Sequence, residues 1–348
     1  MRQLVLHIGV HRTATSSVQS YLWANAATLK EQGFLYPAFP PFPKRHVGLF
    51  QAVFSGSMTL SALTEELERR ADSAPSEIHT VILSDEDVCE RPLAVLGDLS
   101  HSFRVSVVFS MRRQDTWLES WYLQNIKWQW NPRYAHLSFE EFLDRREDFP
   151  WIHYDRTVAD ITDTFGSEAL VPLVFERDRM PDGPVAAFRD AIGLAHTPEM
   201  TQGRVTNERF SIETSEFLRR LPLGDLPERK RAIVEAAIQR VGETASPEGA
   251  THLLTRAQRS SLLAEYAEGN RRVAERYFGQ EQLFGEDMPA DPPAQMLLPD
   301  SADLMGRYVG PLILELGPSL GVRPPAPPQK PAAAVEVATQ GQGPCGGA

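Results

Sequence analysis

Residues Gly9 to Ser17 read Gly-Val-His-Arg-Thr-Ala-Thr-Ser-Ser and crowd one arginine, one histidine and four hydroxyls into a single short stretch. Those residue types suit an anion. Hydroxyls and backbone amides donate hydrogen bonds, and a guanidinium adds a fixed charge. The plainer reading is that Thr15, Ser16 and Ser17 cap a following helix, a task that needs only one hydroxyl. Thr13, Thr15, Ser16 and Ser17 together with Arg12 exceed that need, and the loop is read as an anion cradle. The GxxxxGK[ST] pattern is absent because no Gly-Lys pair occurs here, which counts against an ATP-hydrolysing enzyme.

The elements around this loop explain why it would be exposed to a ligand. Leu4–Ile8 is a short apolar run bounded by Gly9 and reads as a buried strand. Thr15 to Gln32 carries Val18, Tyr21, Leu22 and Leu29 on one helical face, with Gly33 placed to end it. A loop between a strand and a helix N-terminus is where α/β proteins hold a nucleotide's anionic end. Further buried strands are expected at Thr80–Leu83, Val105–Ser110 and Leu170–Val174, with a helix from Gln114 to about Lys127. Strands alternating with helices predict a parallel sheet covered on both faces. Phe34–Pro43, rich in proline and aromatics, is expected to be irregular. After Asn207 the pattern becomes helical, near Ser211–Leu221, Glu228–Val241 and Arg256–Phe278. Order is not expected from Pro289 onward, and Pro324–Ala348 is a Pro/Ala/Gly/Gln tail too poor in apolar surface to offset its ordering entropy.

Composition sets the outer limits. A net charge of −11 repels polyanions and excludes nucleic acid as the expected partner. A small anion remains acceptable, since loop amides and a few arginines build a locally positive pocket. Two cysteines, Cys89 and Cys345, give no disulfide framework, and the nine histidines form no metal-ligand motif, so no metal is expected. No stretch approaches the ~18–20 apolar residues that span a bilayer. Met1–Gln3 lead directly into the first strand without a signal peptide, and a cytoplasmic location is the expectation.

Arg12-Thr13-Ala14-Thr15-Ser16 resembles the phosphosulfate-binding loop of sulfotransferases, a pattern like Lys-Ser-Gly-Thr-Thr. Arginine stands for lysine, and alanine for glycine. The second change is mild if residue 14 has negative φ, as a residue opening a helix would. A second match follows a later strand: Arg112 and Ser120 stand eight residues apart in Met111-Arg-Arg-Gln-Asp-Thr-Trp-Leu-Glu-Ser-Trp-Tyr. In that family such a pair holds the donor's 3′-phosphate, and eight residues, about two helical turns, return the serine to the loop's face. Phe139-Glu-Glu-Phe-Leu, Val174-Phe-Glu-Arg, Asn207–Ser211 and Tyr266–Phe278 with Leu283-Phe284 are similar to bacterial sulfotransferase segments too. The resemblance spans roughly residues 3–285. It implies a P-loop NTPase-like three-layer α/β/α fold over residues 1–288, helical from 207 to 288, with residues 289–348 as a poorly ordered tail.

The same resemblance implies 3′-phosphoadenosine 5′-phosphosulfate as co-substrate and a hydroxyl or amine acceptor, on a small molecule, a glycan or a lipid. It assigns the donor site to His11, Arg12, Thr13, Ala14, Thr15, Ser16, Ser17, Arg112 and Ser120. Sulfuryl transfer is in-line displacement, where positioning and electrostatics dominate. Arg12 is then a fixed charge for the leaving oxygen rather than a proton donor, because its pKa exceeds ~12. A base for the acceptor is expected after the Thr80–Ser84 run, at Glu86 first and Asp85 second. His11 and His46 are rivals, and His7 is read as core. Five of the six tryptophans fall between 117 and 151; Trp117 and Trp121 read as helix packing, Trp128 and Trp130 as a possible sugar- or aromatic-binding wall. Two other readings compete: a catalytically silent nucleotide-binding module, and a small-molecule kinase with an atypical P-loop.

Overall fold

In a computed structural model, which describes residues 1–202, 210–245, 252–289 and 301–317, the chain builds a five-stranded parallel sheet with helices on both faces. The strands are β1 (Gln3–His7), β2 (Phe34–Leu35), β3 (Thr80–Ser84), β4 (Arg104–Met111) and β5 (Leu170–Val174), in the spatial order β2-β3-β1-β4-β5. The α/β class expected from the alternation of apolar runs is the one observed. Between them lie α1 (Thr15–Ala24), α2 (Ala26–Glu31), α3 (Val47–Phe54), α4 (Leu60–Asp72), α5 (Gln114–Trp128), α6 (Phe139–Leu143) and α7 (Tyr154–Phe165). After β5 come α8 (Pro184–Ala191), α9 (Ile212–Arg219), α10 (Glu228–Ala245) and α11 (Arg256–Phe278).

Strand β1 shows why consecutive residues, Leu4 to Leu6, are all apolar. Leu4 and Leu6 enter one core with Leu63 and Leu67 of α4 and Val158 and Ile161 of α7. Val5 enters the other, with Val18, Tyr21 and Leu22 of α1 and Phe188 of α8. Because successive strand residues face opposite sides, both faces must be apolar where both are covered. The chain leaves β1 toward β2 and β3 on one flank, then crosses to β4 and β5 on the other. That reversal places the switch point of the sheet at β1, and open α/β sheets bind ligands beyond the carboxyl ends of the strands at such a point.

Three expectations need correction. The helix expected over Thr15–Gln32 is two helices, broken at Asn25. The Asn25 amide donates to Tyr21 O (2.7 Å) and Thr201 O (2.9 Å) and its Oδ1 accepts from Thr201 N (2.8 Å), so it holds a crossing segment instead of continuing the helix. Phe34–Leu35, expected to be irregular, pairs with β3 as an edge strand before Pro37 ends it. Residues 301–317, expected to lack order, are helical and bury Leu304 and Tyr308. The Tyr308 ring stacks on Phe217 at 4.7 Å and its hydroxyl meets Thr214 Oγ1 at 3.0 Å. Apolar side chains four apart were enough to dock a short helix there. The Pro324–Ala348 tail and Asn207 lie outside the described residues. Among those residues no helix is long and apolar enough to cross a membrane.

The helical C-terminal part is clamped to α5 by buried charge. Arg259 of α11, wholly buried, donates to Asp115 Oδ2 and Glu119 Oε1, each at 2.7 Å. Arg113 grips the other oxygen of Asp115 at 2.8 Å and also donates to the carbonyls of Gly285 and Asp287. Glu119 Oε1 further accepts from the amides of Leu253 and Leu254, and Gln114 and Asn270 exchange amide bonds across the same seam. Two arginines thus face two carboxylates. Burial works against ionising Asp115, but the two guanidiniums hold its carboxyl below the usual range. Replacing Arg259 by Met should leave buried carboxylates under-compensated and cost roughly 3–5 kcal/mol in urea unfolding. A loss below about 1 kcal/mol would mean that the seam is not a stabilising clamp.

Candidate active site

The loop after β1 stays registered on β4 before it turns. Ile8 and Val10 amides donate to Val108 O and Ser110 O at 3.1 and 3.3 Å. Gly9 lies so close to β4 that a Cβ would stand 2.9 Å from Ser110 Cβ, so glycine is required there. The backbone then enters the left-handed region twice, at Arg12 (φ 69°) and Ala14 (φ 63°). The expectation of negative φ at residue 14 is therefore corrected: this is a glycine-type position occupied by alanine. Thr13 is buried and donates to Val10 O at 2.6 Å, closing the loop on itself.

Helix α1 starts without help from a side chain. Ala14 occupies its cap position, and the Ser17 and Val18 amides close on Ala14 O. Thr15, Ser16 and Ser17 sit inside the first turn, so none of the three is the cap. Thr15 Oγ1 is buried and has no hydrogen-bond partner among the described residues, yet Thr15 lines a cleft of about 370 Å³. A buried hydroxyl left unsatisfied costs free energy unless something supplies its partner.

The two motifs read separately in the sequence meet in this cleft. Arg12 Nε donates to Ser120 Oγ at 2.7 Å, and Arg12 Nη1 to Gln124 Oε1 at 2.6 Å. Arg112 Nη1 donates to the carbonyl of Arg12 at 2.8 Å, while Arg112 Nε reaches Thr116 Oγ1 at 3.2 Å. The Tyr154 hydroxyl accepts from the Arg112 amide at 3.0 Å and donates back to the Arg112 carbonyl. The guanidinium of Arg112 also lies over the Phe175 ring at 5.7 Å. His11, Arg12, Ala14, Thr15, Ser16, Ser17, Glu86, Arg112 and Ser120 all line the cleft. Thr13 and Asp85 do not.

The acidic segment after β3 divides into separate roles. Glu86 faces the cleft and accepts from Gln19 Nε2 at 2.9 Å. Asp85 is buried; its Oδ1 accepts from the Asp87 amide at 3.3 Å and caps the short 3₁₀ turn Glu86–Glu90. Its Oδ2 has no partner among the described residues, and burial, with Asp87 and Glu86 nearby, pushes its carboxyl up to about 8. His11 Nε2 pairs with Asp87 Oδ1 at 3.2 Å and Glu90 Oε1 at 3.0 Å, and its ring stacks on Trp121 at 4.5 Å. Burial alone would lower its pKa, but the two carboxylates raise it to about 10. A ring held protonated at neutral pH is a poor base.

His46 fails as a base for the opposite reason. Its Nδ1 accepts from the Ser84 amide at 2.9 Å and its Nε2 donates to Pro37 O at 2.8 Å, and burial lowers it to about 4. His7 is core, pushed down to about 3 by burial.

Sequence reading missed Leu123, Gln124, Lys127, Phe175, Phe210 and Ser215 in the lining. The first three were detectable. Ser120, Leu123, Gln124, Lys127 and Trp128 follow the i, i+3, i+4, i+7, i+8 spacing of one helix face. Phe210 and Ser215 come from a distant segment with no local signal. Trp128 lines the cleft and Trp130 stacks on it at 5.0 Å, while Trp117 is wholly buried and donates its indole N–H to His11 O at 2.7 Å.

Comparison with protein-family models and with curated proteins finds no match to this chain. Among solved structures, a sulfotransferase from Alicyclobacillus acidocaldarius is similar at a TM-score of 0.40 and 17% identity, over 60% of this chain and 87% of that one. So distant a likeness carries no weight for the chemistry, which rests on the cleft.

Two substitutions test this geometry. Ala14→Gly should stabilise the protein by about 1 kcal/mol in urea unfolding, since a Cβ is disfavoured at positive φ; a loss of stability would place residue 14 in another conformation. Asp85 resists ionisation when folded, so its carboxylate costs stability as pH rises above the unfolded value toward about 8. Asp85→Asn should therefore raise Tm at pH 8 more than at pH 4, and equal effects at both would contradict the shift.

Proposed function

We propose that this protein is a sulfotransferase that moves a sulfuryl group from 3′-phosphoadenosine 5′-phosphosulfate to a hydroxyl or amine of an acceptor. The acceptor is a small molecule, a glycan or a lipid head group, and the expected site of action is the cytoplasm. The observation that carries this reading is the meeting of Arg12 with Ser120, beside Arg112, over a helix N-terminus whose Thr15 hydroxyl is buried without a partner among the described residues. It supports a ligand with two separated anionic ends. One end suits the α1 N-terminus with Thr15 and Ser16. The other suits Arg112 and Ser120. Lys127 adds a further cation to His11, Arg12 and Arg112 in the lining, so the cleft is basic within a chain of net charge −11.

The chemistry asked of the chain is modest. Sulfuryl transfer needs alignment, a proton acceptor and positive charge where the leaving oxygen forms. Glu86, oriented by Gln19, is positioned to take the acceptor's proton. The cations of the cleft offset the charge that develops on the donor. A Gly-Lys pair of the nucleotide-hydrolysing kind is missing from the loop, which weighs against the kinase reading.

Thermal-shift titration separates the readings. Adenosine 3′,5′-bisphosphate should raise Tm, and Mg-ATP should not. Arg112→Ala should weaken that ligand about tenfold, the loss of roughly one charge-assisted contact, while Glu86→Gln should leave its affinity unchanged. Stabilisation by Mg-ATP alone would contradict the sulfotransferase reading.

A further inference from the structure

Arg12 takes the place of the lysine in the resembled loop, and its side chain is engaged by α5. With φ at 69° the backbone turns the side chain toward α5, where Nε and Nη1 bond Ser120 and Gln124. The carbonyl of Arg12 accepts from Arg112. Backbone and side chain both tie Arg12 to the Arg112–Ser120 end of the cleft. With two Arg12 nitrogens held there, the neighbouring residue is the further cation of the loop.

His11 is that residue. It lines the cleft, its carbonyl is fixed by the Trp117 indole, and its ring is stacked on Trp121 with the planes 21° apart. Nε2 faces two carboxylates, Asp87 and Glu90, and these hold the ring charged. Asp85 and Glu86 of the same segment also act on it, and Trp121 is the neighbour from α5. Nδ1 makes no hydrogen bond among the described residues, so an oriented imidazolium keeps one N–H for a ligand.

Resting on the donor reading above, we propose that His11 supplies the cation at the donor's 5′-phosphosulfate end, while Arg12 serves the 3′-phosphate end with Arg112 and Ser120. In the transfer, the acceptor oxygen forms a bond to sulfur as the bond between sulfur and the bridging phosphate oxygen breaks. The electron pair stays on that phosphate oxygen. The acceptor's proton goes to Glu86. His11 keeps its own proton and donates a hydrogen bond from Nδ1 to the leaving oxygen. Asp87 and Glu90 are positioning residues for the ring.

Competition against adenosine 3′,5′-bisphosphate, read by calorimetry, tests the division with two half-ligands, 5′-AMP and 3′-AMP. His11→Asn should weaken 5′-AMP at least tenfold and leave 3′-AMP within twofold. Arg12→Met should do the reverse. His11→Lys, which restores a cation, should recover most of the 5′-AMP affinity, a rescue that a purely structural role would not give. The inference is overturned if His11→Asn leaves 5′-AMP unchanged, or weakens both half-ligands equally without rescue by lysine. If the wild-type protein fails to bind adenosine 3′,5′-bisphosphate at all, the donor reading itself falls, an outcome distinct from the others.

Discussion

Arg259 reaches two carboxylates on one helix, and that contact ties α5 to α11. Asp115 and Glu119 lie on the face of α5 turned to α11, and Ser120, Gln124 and Lys127 lie on the face turned to the cleft. A helix is stiff, so fixing Glu119 fixes its neighbour Ser120 as well. Buried ion pairs add little net stability against an apolar alternative, but losing one partner is costly. That asymmetry suits a helix that must not slide or rotate, since a rotation that carried Ser120 away would break its bond to Arg12.

Sheet topology supplies the second constraint. Loops leaving β1, β3, β4 and β5 all emerge at the same carboxyl edge, so Arg12, Glu86, Arg112 and Phe175 converge although they span nearly half of the chain. The local electrostatics follow from this convergence rather than from composition. Arg12, Arg112 and Lys127 line the cleft, while Asp87 and Glu90 are engaged with His11. Two carboxylates of the acidic segment are thereby paired with His11, while Glu86 faces the cleft.

Much of this is legible in the sequence alone. Buried strands declare themselves as short apolar runs, and four of the five were placed within a residue or two of their observed limits. Helix α11, with Thr255 capping and Gly279 in the left-handed region, was bounded correctly from its apolar face. The hydroxyl-rich loop and the Arg112–Ser120 spacing both led to one cleft. What was not legible depends on tertiary contact. Nothing local marks Asn25 as the break in a helix, because its reason is a bond to Thr201. Ala14 reads as a helix starter, and only the turn that seats Thr13 on Val10 forces its φ positive. His11 reads as one ring among nine, and its charge is set by carboxylates more than seventy residues away.

The claim on which the account rests is that one ligand with two phosphate ends bridges the His11–Ser17 loop and the Arg112–Ser120 pair. A crystal structure with adenosine 3′,5′-bisphosphate tests it most directly. The account predicts the 5′-phosphate on the α1 N-terminus within hydrogen-bond reach of Thr15 Oγ1 and His11 Nδ1, and the 3′-phosphate on Arg112 and Ser120. A nucleotide bound outside this cleft, or bound with its two phosphates exchanged, would contradict it.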